Sequence, residues 1–439
     1  MPRELKNLFS LDEKIIVVTG AAGLLGKKHA EAIAAYGGTP VLLDLSQEVV
    51  EKLAEELKVE FGVAAVGKAV DITHEQEIKE NAEKLLSEQI DLLDTIKKVD
   101  EDVRLDSDLW KLVNEQGWLA LDVTEDDGGL GFSTVDASIL SEVAGYYLPI
   151  IPLFSSGVVF KHLLLNSSDE IKKTYLSEII TGEKIGTFGI YETDKYEINN
   201  ESIQTSLTPS GDGWILNGTK KYVMFGDVSD YIAVLAKDDN EFKFVLVKTS
   251  DDSVDVKNTP SLDQTRPLTE ITFKDVVISS ENIMIVMNDE LSIWKKIQNI
   301  ATAFLSMEQV GGSQACLDMS TSYAKERIQF GRPIGSFQAI QHICANMLLQ
   351  IESAKSLAYN SVRVDIDDAT ELEMSSLLAK SYCSEVYNKI AGDNIQVHGG
   401  IGFTWEHPAH LYFKKAKSDS LLFGSSKSAR SKIAELINL

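Results

Sequence analysis

The chain has 439 residues, enough for two to four domains at roughly 100–200 residues each. Apolar residues at 44% and charged residues at 25% exclude a disordered, collagen-like or low-complexity polymer. A formal net charge of −25 argues against nucleic acid or an anionic membrane as a main partner.

The N-terminal MPRELKNLFSLDEK is charged and lacks the apolar run of a signal peptide. Residues 15–18, IIVV, read as a buried strand, and Gly20, Gly23 and Gly26 follow it in a glycine turn. A helical stretch comes next, then a second apolar run ending at Asp44. In such a strand–turn–helix–strand unit, backbone N–H groups approach a pyrophosphate at the helix N-terminus. Asp44 is placed to hold a ribose diol and to repel a 2′-phosphate, which favours NAD over NADP. These residues resemble the start of the short-chain dehydrogenase/reductases. The resemblance implies an adenine-side role for Asp71 and ends near Leu86. The catalytic half that should follow, with Asn-Asn-Ala-Gly and a Tyr-x-x-x-Lys pair, is absent. Tyr191 and Lys195 fit the last spacing only in a segment of different character. Residues 1–86 are expected to form a half-Rossmann βαβαβ fragment without chemistry of its own.

From Ser87 the pattern changes. Residues 87–102 are amphipathic, with Ile90, Leu93 and Ile96 at helical spacing. Residues 107–121 predict a helix capped by Ser107, with Gly117 near its end. A glycine-rich turn spans 126–131, and further helices are expected over 133–180. The most apolar long stretch, residues 146–165, contains Pro149, Pro152, Lys161 and His162, which argues against a membrane span. Short runs parted by Gly, Asp and Asn turns predict strands from Ile185 to about Val277. Long helical segments return from about Leu291. The fold class is α+β with several domains. Cys316, Cys344 and Cys383 form neither a CxxC pair nor a zinc spacing, so no metal site is expected. They read as thiols of a reducing, cytoplasmic compartment.

Several stretches resemble the acyl-CoA dehydrogenase family. They are GWLALDVTEDDGGLG at 117–131, GWILNGTKKYV at 213–223 and ITFKDVVISSENI at 271–283. Stronger still are YAKERIQFGRPIGSFQAIQH at 323–342 and IQVHGGIGFTWEHPAHLYFKKAK at 395–417. The resemblance implies an N-terminal helical domain over 87–184, a β-barrel-like central domain over 185–284 and a C-terminal four-helix bundle over 285–439. It implies an FAD flavoprotein that removes two hydrogens from an acyl-CoA and passes electrons to an electron-transfer flavoprotein, in an oligomer that shares its cofactor sites. Within the matching motifs it assigns FAD contact to Arg327, Phe330, Gln338, Gln396, Gly399 and Gly400, with Tyr222 and Ser425 on the flavin side.

Departures from the family accompany the matches. Phe423 stands where many members carry the carboxylate base, and Ala301 occupies the alternative base position. No motif supports Glu308, read as a surface or ion-pair residue, or Asp419, read as solvated. The family's Thr-Glu-Pro-Gly-Ala-Gly-Ser-Asp loop is IYETDKYEINNES here, and its Trp-Ile-Thr is Tyr222-Val223-Met224. Three readings stay open: a dehydrogenase active alone, a base-less subunit of a heteromer, and an NAD-dependent reductase lacking its catalytic half.

Overall fold

The computed structural model describes residues 10–12, 14–69, 73–193, 198, 201–238, 241–287 and 291–439. Two compact units divide between Glu77 and Ile78.

In the first unit, β1 (Ile15–Thr19), β2 (Thr39–Asp44) and β3 (Val66–Ala69) form a parallel sheet in that order. Helices α1 (Leu24–Ala35) and α2 (Gln47–Phe61) connect them. Val18 and Leu42 on one sheet face meet Ile33, Leu53 and Leu57 from the helices. Gly20 adopts φ +63°, and a Cβ on Gly26 would lie 2.1 Å from the Gly20 carbonyl oxygen. The glycines therefore let α1 sit directly on the turn. This is the expected βαβαβ half.

Helix α3 (Thr73–Gln89) crosses the division between the units. Helix α4 (Leu92–Asp100) follows after a break that periodicity did not foretell, where the Asp91 carboxylate caps the Leu93 N–H. Helix α5 (Ser107–Glu115) is capped by Asp106, not by the expected Ser107; the Asp106 side chain accepts from the Leu109 N–H. Helix α6 (Thr134–Tyr147) opens on a capping box of Ser133 and Asp136. A π-helical turn, Ser155–Phe160, leads into α7 (Lys161–Leu165), and α8 (Asp169–Ile180) closes the helical region. No described helix is long and apolar enough to cross a membrane.

The central strands are β4 (Gly186–Gly189), β5 (Ser206–Ser210), β6 (Gly213–Met224), β7 (Tyr231–Asp238), β8 (Glu241–Lys248), β9 (Val254–Thr259), β10 (Leu268–Ile278) and β11 (Ile283–Met287). They pair in the order β11-β8-β7-β5-β6-β10-β9, with β4 alongside β7. The sheet ends at β11 and β9 among the described residues, so the expected barrel is an open sheet. Strand lengths and turns are alike in both cases; closure depends on whether the two end strands meet.

Helix α9 (Ser292–Glu326) is the axis of the C-terminal region. A hairpin of β12 (Ile328–Gln329) and β13 (Arg332–Pro333) follows, then α10 (Gln338–Arg363), α11 (Ala369–His398), α12 (Ala409–Asp419) and α13 (Ser426–Leu436). Helix α9 packs against α6, α10 and α11. The α6–α9 crossing is backbone-close: a Cβ on Gly311 would lie 1.7 Å from the Glu142 carbonyl oxygen, and one on Gly145 would lie 1.9 Å from that of Glu308. This crossing fixes Glu308 against α6.

Candidate active site

Phe423 lies in the loop between α12 and α13, with a left-handed backbone at φ +58°. Its ring is 9% exposed and packs among Phe154, Phe188 and Trp294, at centroid distances of 6.1, 6.5 and 6.2 Å. Ala301, the alternative base position, is fully buried on α9. The two positions where the resemblance placed a carboxylate thus carry apolar side chains within a packed core.

Beside the aromatic cluster lies a group of buried charges that the sequence did not reveal. Arg266, between β9 and β10, donates to Asp419 Oδ1 at 2.5 Å and to both Glu308 oxygens at 2.8 and 2.6 Å. Lys415 on α12 lies 2.7 Å from Glu308 Oε1 and 3.5 Å from Asp263 Oδ2. Lys380 on α11 donates to the Asp419 carbonyl at 2.6 Å. Glu308 is an ion-pair residue as read, but a buried one. Asp419 is fully buried, which corrects its reading as solvated; Arg266 draws it inward from 153 residues away. The Arg266 guanidinium also lies 5.2 Å from the Phe154 ring centroid.

Burial alone would raise the Glu308 carboxyl, but Arg266 and Lys415 outweigh it and hold the group below its usual range. Burial pushes Asp419 up to about 6, against the pull of Lys415 and Arg266. Burial likewise brings Lys380 down to about 7, opposed by Asp419. A proton-abstracting base needs a carboxylate lone pair directed at substrate. Both Glu308 oxygens already accept from cations, so Glu308 is a poor base as held here.

The cavity where these groups meet has a volume of about 30 Å³ and is lined by Ser141, Phe154, Phe225, Arg266, Glu308 and Lys415, among others. Small-molecule pockets run to several hundred cubic ångströms, on the order of ten times more. A second small cavity of about 60 Å³ is lined by Phe423, Thr302, Glu373 and Lys380, among others.

The residues that the resemblance assigned to FAD present a different picture. Arg327 ends α9, and its carbonyl accepts from the Ile334 N–H, which closes the β12–β13 hairpin. Arg327 is exposed and has no ion-pair partner among the described residues. Phe330 at the hairpin turn is 92% exposed, and Gln338 opens α10 on the surface. Val397 on α11 packs with Ala324 and Ile334, which ties the end of α11 to the base of the hairpin. Gln396, Gly399 and Gly400 are exposed there, and a Cβ on either glycine would meet nothing within this chain. Gly399 is required instead by its φ of +63°. His398 is a packed histidine, as expected, with Nδ1 2.8 Å from the Asn394 carbonyl.

Of the residues expected on the flavin side, Tyr222 is 40% exposed with φ +56°, while Met224, two residues on, is buried and brings no hydroxyl. Ser425 caps α13 through a bond from the Ser428 N–H. The stretch that replaces the family's glycine loop is anchored at its start: Glu192 accepts from Lys220 at 2.6 Å and from the Gln204 and Thr205 N–H groups. Lys195 and most of residues 194–200 lie outside the described residues. In the first unit, the Asp44 carboxylate accepts from the Ala22 and Leu45 N–H groups, which ties β2 to the glycine turn. Asp71 lies outside the described residues.

Comparison with known proteins agrees with this architecture. Residues 73–183, 187–276 and 299–437 match the N-terminal, middle and C-terminal domains of acyl-CoA dehydrogenase. The chain belongs to the acyl-CoA dehydrogenase family. Members of this family are FAD-dependent oxidoreductases acting on CH–CH bonds. Residues 14–97 match the short chain dehydrogenase model. Among relatives, acyl-CoA dehydrogenase IpdE2 of Mycolicibacterium smegmatis is 29% identical, over 74% of this chain and 86% of its own length. The caffeyl-CoA reductase-Etf complex subunit CarC of Acetobacterium woodii is 27% identical, over 79% and 92%. Butyryl-CoA dehydrogenase from Megasphaera elsdenii shares the fold at a TM-score of 0.78 and 20% identity, over 84% of this chain and 99% of its own. A chain of the ChsE4-ChsE5 complex from Mycobacterium tuberculosis does so at 0.75 and 21%, over 84% and 98%.

Two surfaces of the chain differ in how they fit FAD. An exposed arginine without an ion-pair partner, an exposed aromatic ring and two surface glutamines fit a phosphate and adenosine. Met224 and Phe423 themselves bring neither a hydroxyl nor a carboxylate, and these two positions fit a flavin with bound acyl-CoA poorly.

Proposed function

We propose that this chain is the base-less subunit of a heteromeric acyl-CoA dehydrogenase, lending part of an FAD site to a catalytic partner of the same family. The observation that carries this reading is Phe423, which stands at the base position with its ring packed between Phe154, Phe188 and Trp294. Dehydrogenation of an acyl thioester needs a carboxylate for the α proton, donors at the thioester carbonyl and space for the acyl chain. Here the aromatic side chains occupy the space, and the buried Glu308 carboxylate is neutralised by Arg266 and Lys415.

FAD, when bound, supplies hydride acceptance, and the protein's task is position and electrostatics. In this reading Arg327 gives a bidentate donor to the phosphates, Phe330 packs on the adenosine, and Gln338, Gln396 and Ser425 orient polar edges. Gly399 and Gly400 leave the partner's backbone room to approach. Electrons from the partner's reaction pass to an electron-transfer flavoprotein. Two relatives support assembly: one structural neighbour is a two-chain ChsE4-ChsE5 complex, and CarC is named as a subunit of an Etf complex. The first unit is read as a nucleotide-fold half without catalysis, and the free thiols suit a reducing cytoplasm.

The test is the visible spectrum of the purified chain before and after anaerobic addition of an acyl-CoA panel. A colourless protein, or a flavin band that never bleaches, is expected. Bleaching is expected only after co-expression with a family member carrying Glu-Gly-Thr in its C-terminal loop. Bleaching by this chain alone overturns the reading.

A further inference from the structure

Three histidines, His398, His407 and His410, gather where residues 399–408 join α11 to α12. The His398 ring touches Tyr323 of α9 and His407, with centroid distances of 4.4 Å to each. His410 stacks on Trp405 at 4.6 Å, and the Lys414 ammonium covers that indole at 3.7 Å. The Trp405 indole N–H donates to Asp100 Oδ1 at the end of α4, at 2.5 Å. The partners show which ring nitrogens carry hydrogen. The Ala409 N–H, the first of α12, donates to His407 Nδ1 at 3.2 Å, so that nitrogen holds a lone pair. His410 Nε2 donates to the Trp405 carbonyl at 3.3 Å, and its Nδ1 is buried without a partner. His398 Nδ1 donates to the Asn394 carbonyl.

We infer that His407 is a proton-sensitive clasp: neutral, it caps α12 and seats the 399–408 loop, and charged, it releases both. A proton on Nδ1 sets N–H against N–H and leaves the first amide of α12 without an acceptor. It also places a positive charge at the positive end of the helix dipole. The titratable and charged groups around it give no compensation. They are His398 from α11, His410 and Lys414 from α12 and the Tyr323 phenol from α9, while Asp100 is engaged by Trp405 and Glu406 is exposed. Among the described residues no carboxylate pairs with any of the three rings. Burial, with His398 and His410 adding to it, brings His407 down to about 4. An opened imidazole titrates near 6.5, so the open loop binds more protons than the closed one below that value. Closure therefore weakens as pH falls from about 6.5 and levels off near 4.

Hydrogen exchange of the full chain tests this, read by mass spectrometry on peptides covering residues 405–414 at pH 7 and pH 4.5, each corrected for intrinsic rates. The clasp acts on this loop whether or not FAD is bound, so no flavin is added. A group at about 4 when closed and about 6.5 when open favours opening roughly 60-fold more at the lower pH, and solvent screening at a half-buried ring reduces this to about tenfold. The parent is expected to lose about tenfold protection in these peptides relative to α10. His407→Asn keeps an oxygen acceptor near the place of Nδ1 and does not titrate, and is expected to show at most a third of that loss. His407→Ala is expected to be poorly protected already at pH 7. Unchanged protection in the parent at pH 4.5 overturns the inference, as does a loss in His407→Asn equal to the parent's, or parental protection at pH 7 in His407→Ala.

Discussion

Replacing Glu308 with glutamine separates a structural carboxylate from a catalytic one. The amide keeps the shape but removes the charge that faces Arg266 at 2.6 Å and Lys415 at 2.7 Å. Both cations are almost wholly buried, so water does not compensate them. Removing one partner of a buried ion pair costs about 3–5 kcal/mol. The second unit spans about 360 residues, and unfolding entropy near 60 °C is about 2.1 cal/mol/K per residue. The entropy is then roughly 0.75 kcal/mol/K, and the expected fall in Tm is about 4–7 °C. Differential scanning calorimetry at pH 7 reads it directly. A carboxylate held free for proton abstraction would give the opposite signature, with turnover of the assembled enzyme lost and Tm unmoved. A Tm shift below 1 °C for Glu308→Gln refutes the picture of a closed, dry, charge-paired site.

Arg327→Ala is expected to leave Tm within about 1 °C, since the side chain is exposed and unpaired, while FAD affinity of the assembled oligomer falls about tenfold or more, measured by flavin retention on dilution. Lys380→Met is expected to flatten the pH dependence of stability above neutrality. Burial sets the folded-state group at about 7, against about 10.4 in an unfolded chain, so the unfolded state binds more protons between these values and stability rises with pH across that window. Urea midpoints from pH 7 to 10 would show the rise in the parent and its loss in the variant. Gly26→Val places a side chain where a Cβ already lies 2.1 Å from the Gly20 carbonyl. Hydrogen exchange is expected to show lost protection in β1 and α1, with the main calorimetric transition of the second unit unchanged.

Much of this architecture was legible in the residues. Glycine spacing after a β-branched run located the half-Rossmann unit, and the motifs at 323–342 and 395–417 pointed to the family of the second unit and fall on the β12–β13 hairpin and the end of α11, the surface proposed to meet FAD. Local signals failed where two local choices were equivalent. Asp106 and Ser107 are both good helix caps, and only the backbone geometry decides between them. The break before α4 was hidden because Ile90 and Ile96 keep helical spacing across it. The charge cluster was invisible for another reason. Asp419 on a helix of lysines and serines has every local mark of a solvated residue, and its burial follows from Arg266, which is distant in sequence. No periodicity encodes such a pairing.

The two faces of the C-terminal region differ in a way that stability alone does not explain. Around Phe423 the chain has spent its aromatic side chains on closure. At the hairpin it does the reverse: Phe330 holds a left-handed backbone at φ +54° and presents its ring to solvent, with Ile328 and Phe403 also exposed at 61% and 78%. A non-glycine residue in that conformation costs on the order of 1 kcal/mol, and exposed apolar area adds nothing to folding. A strained, exposed ring beside an unpaired arginine, together with the packed ring of Phe423, is the asymmetry that the proposed division of one site between two chains predicts.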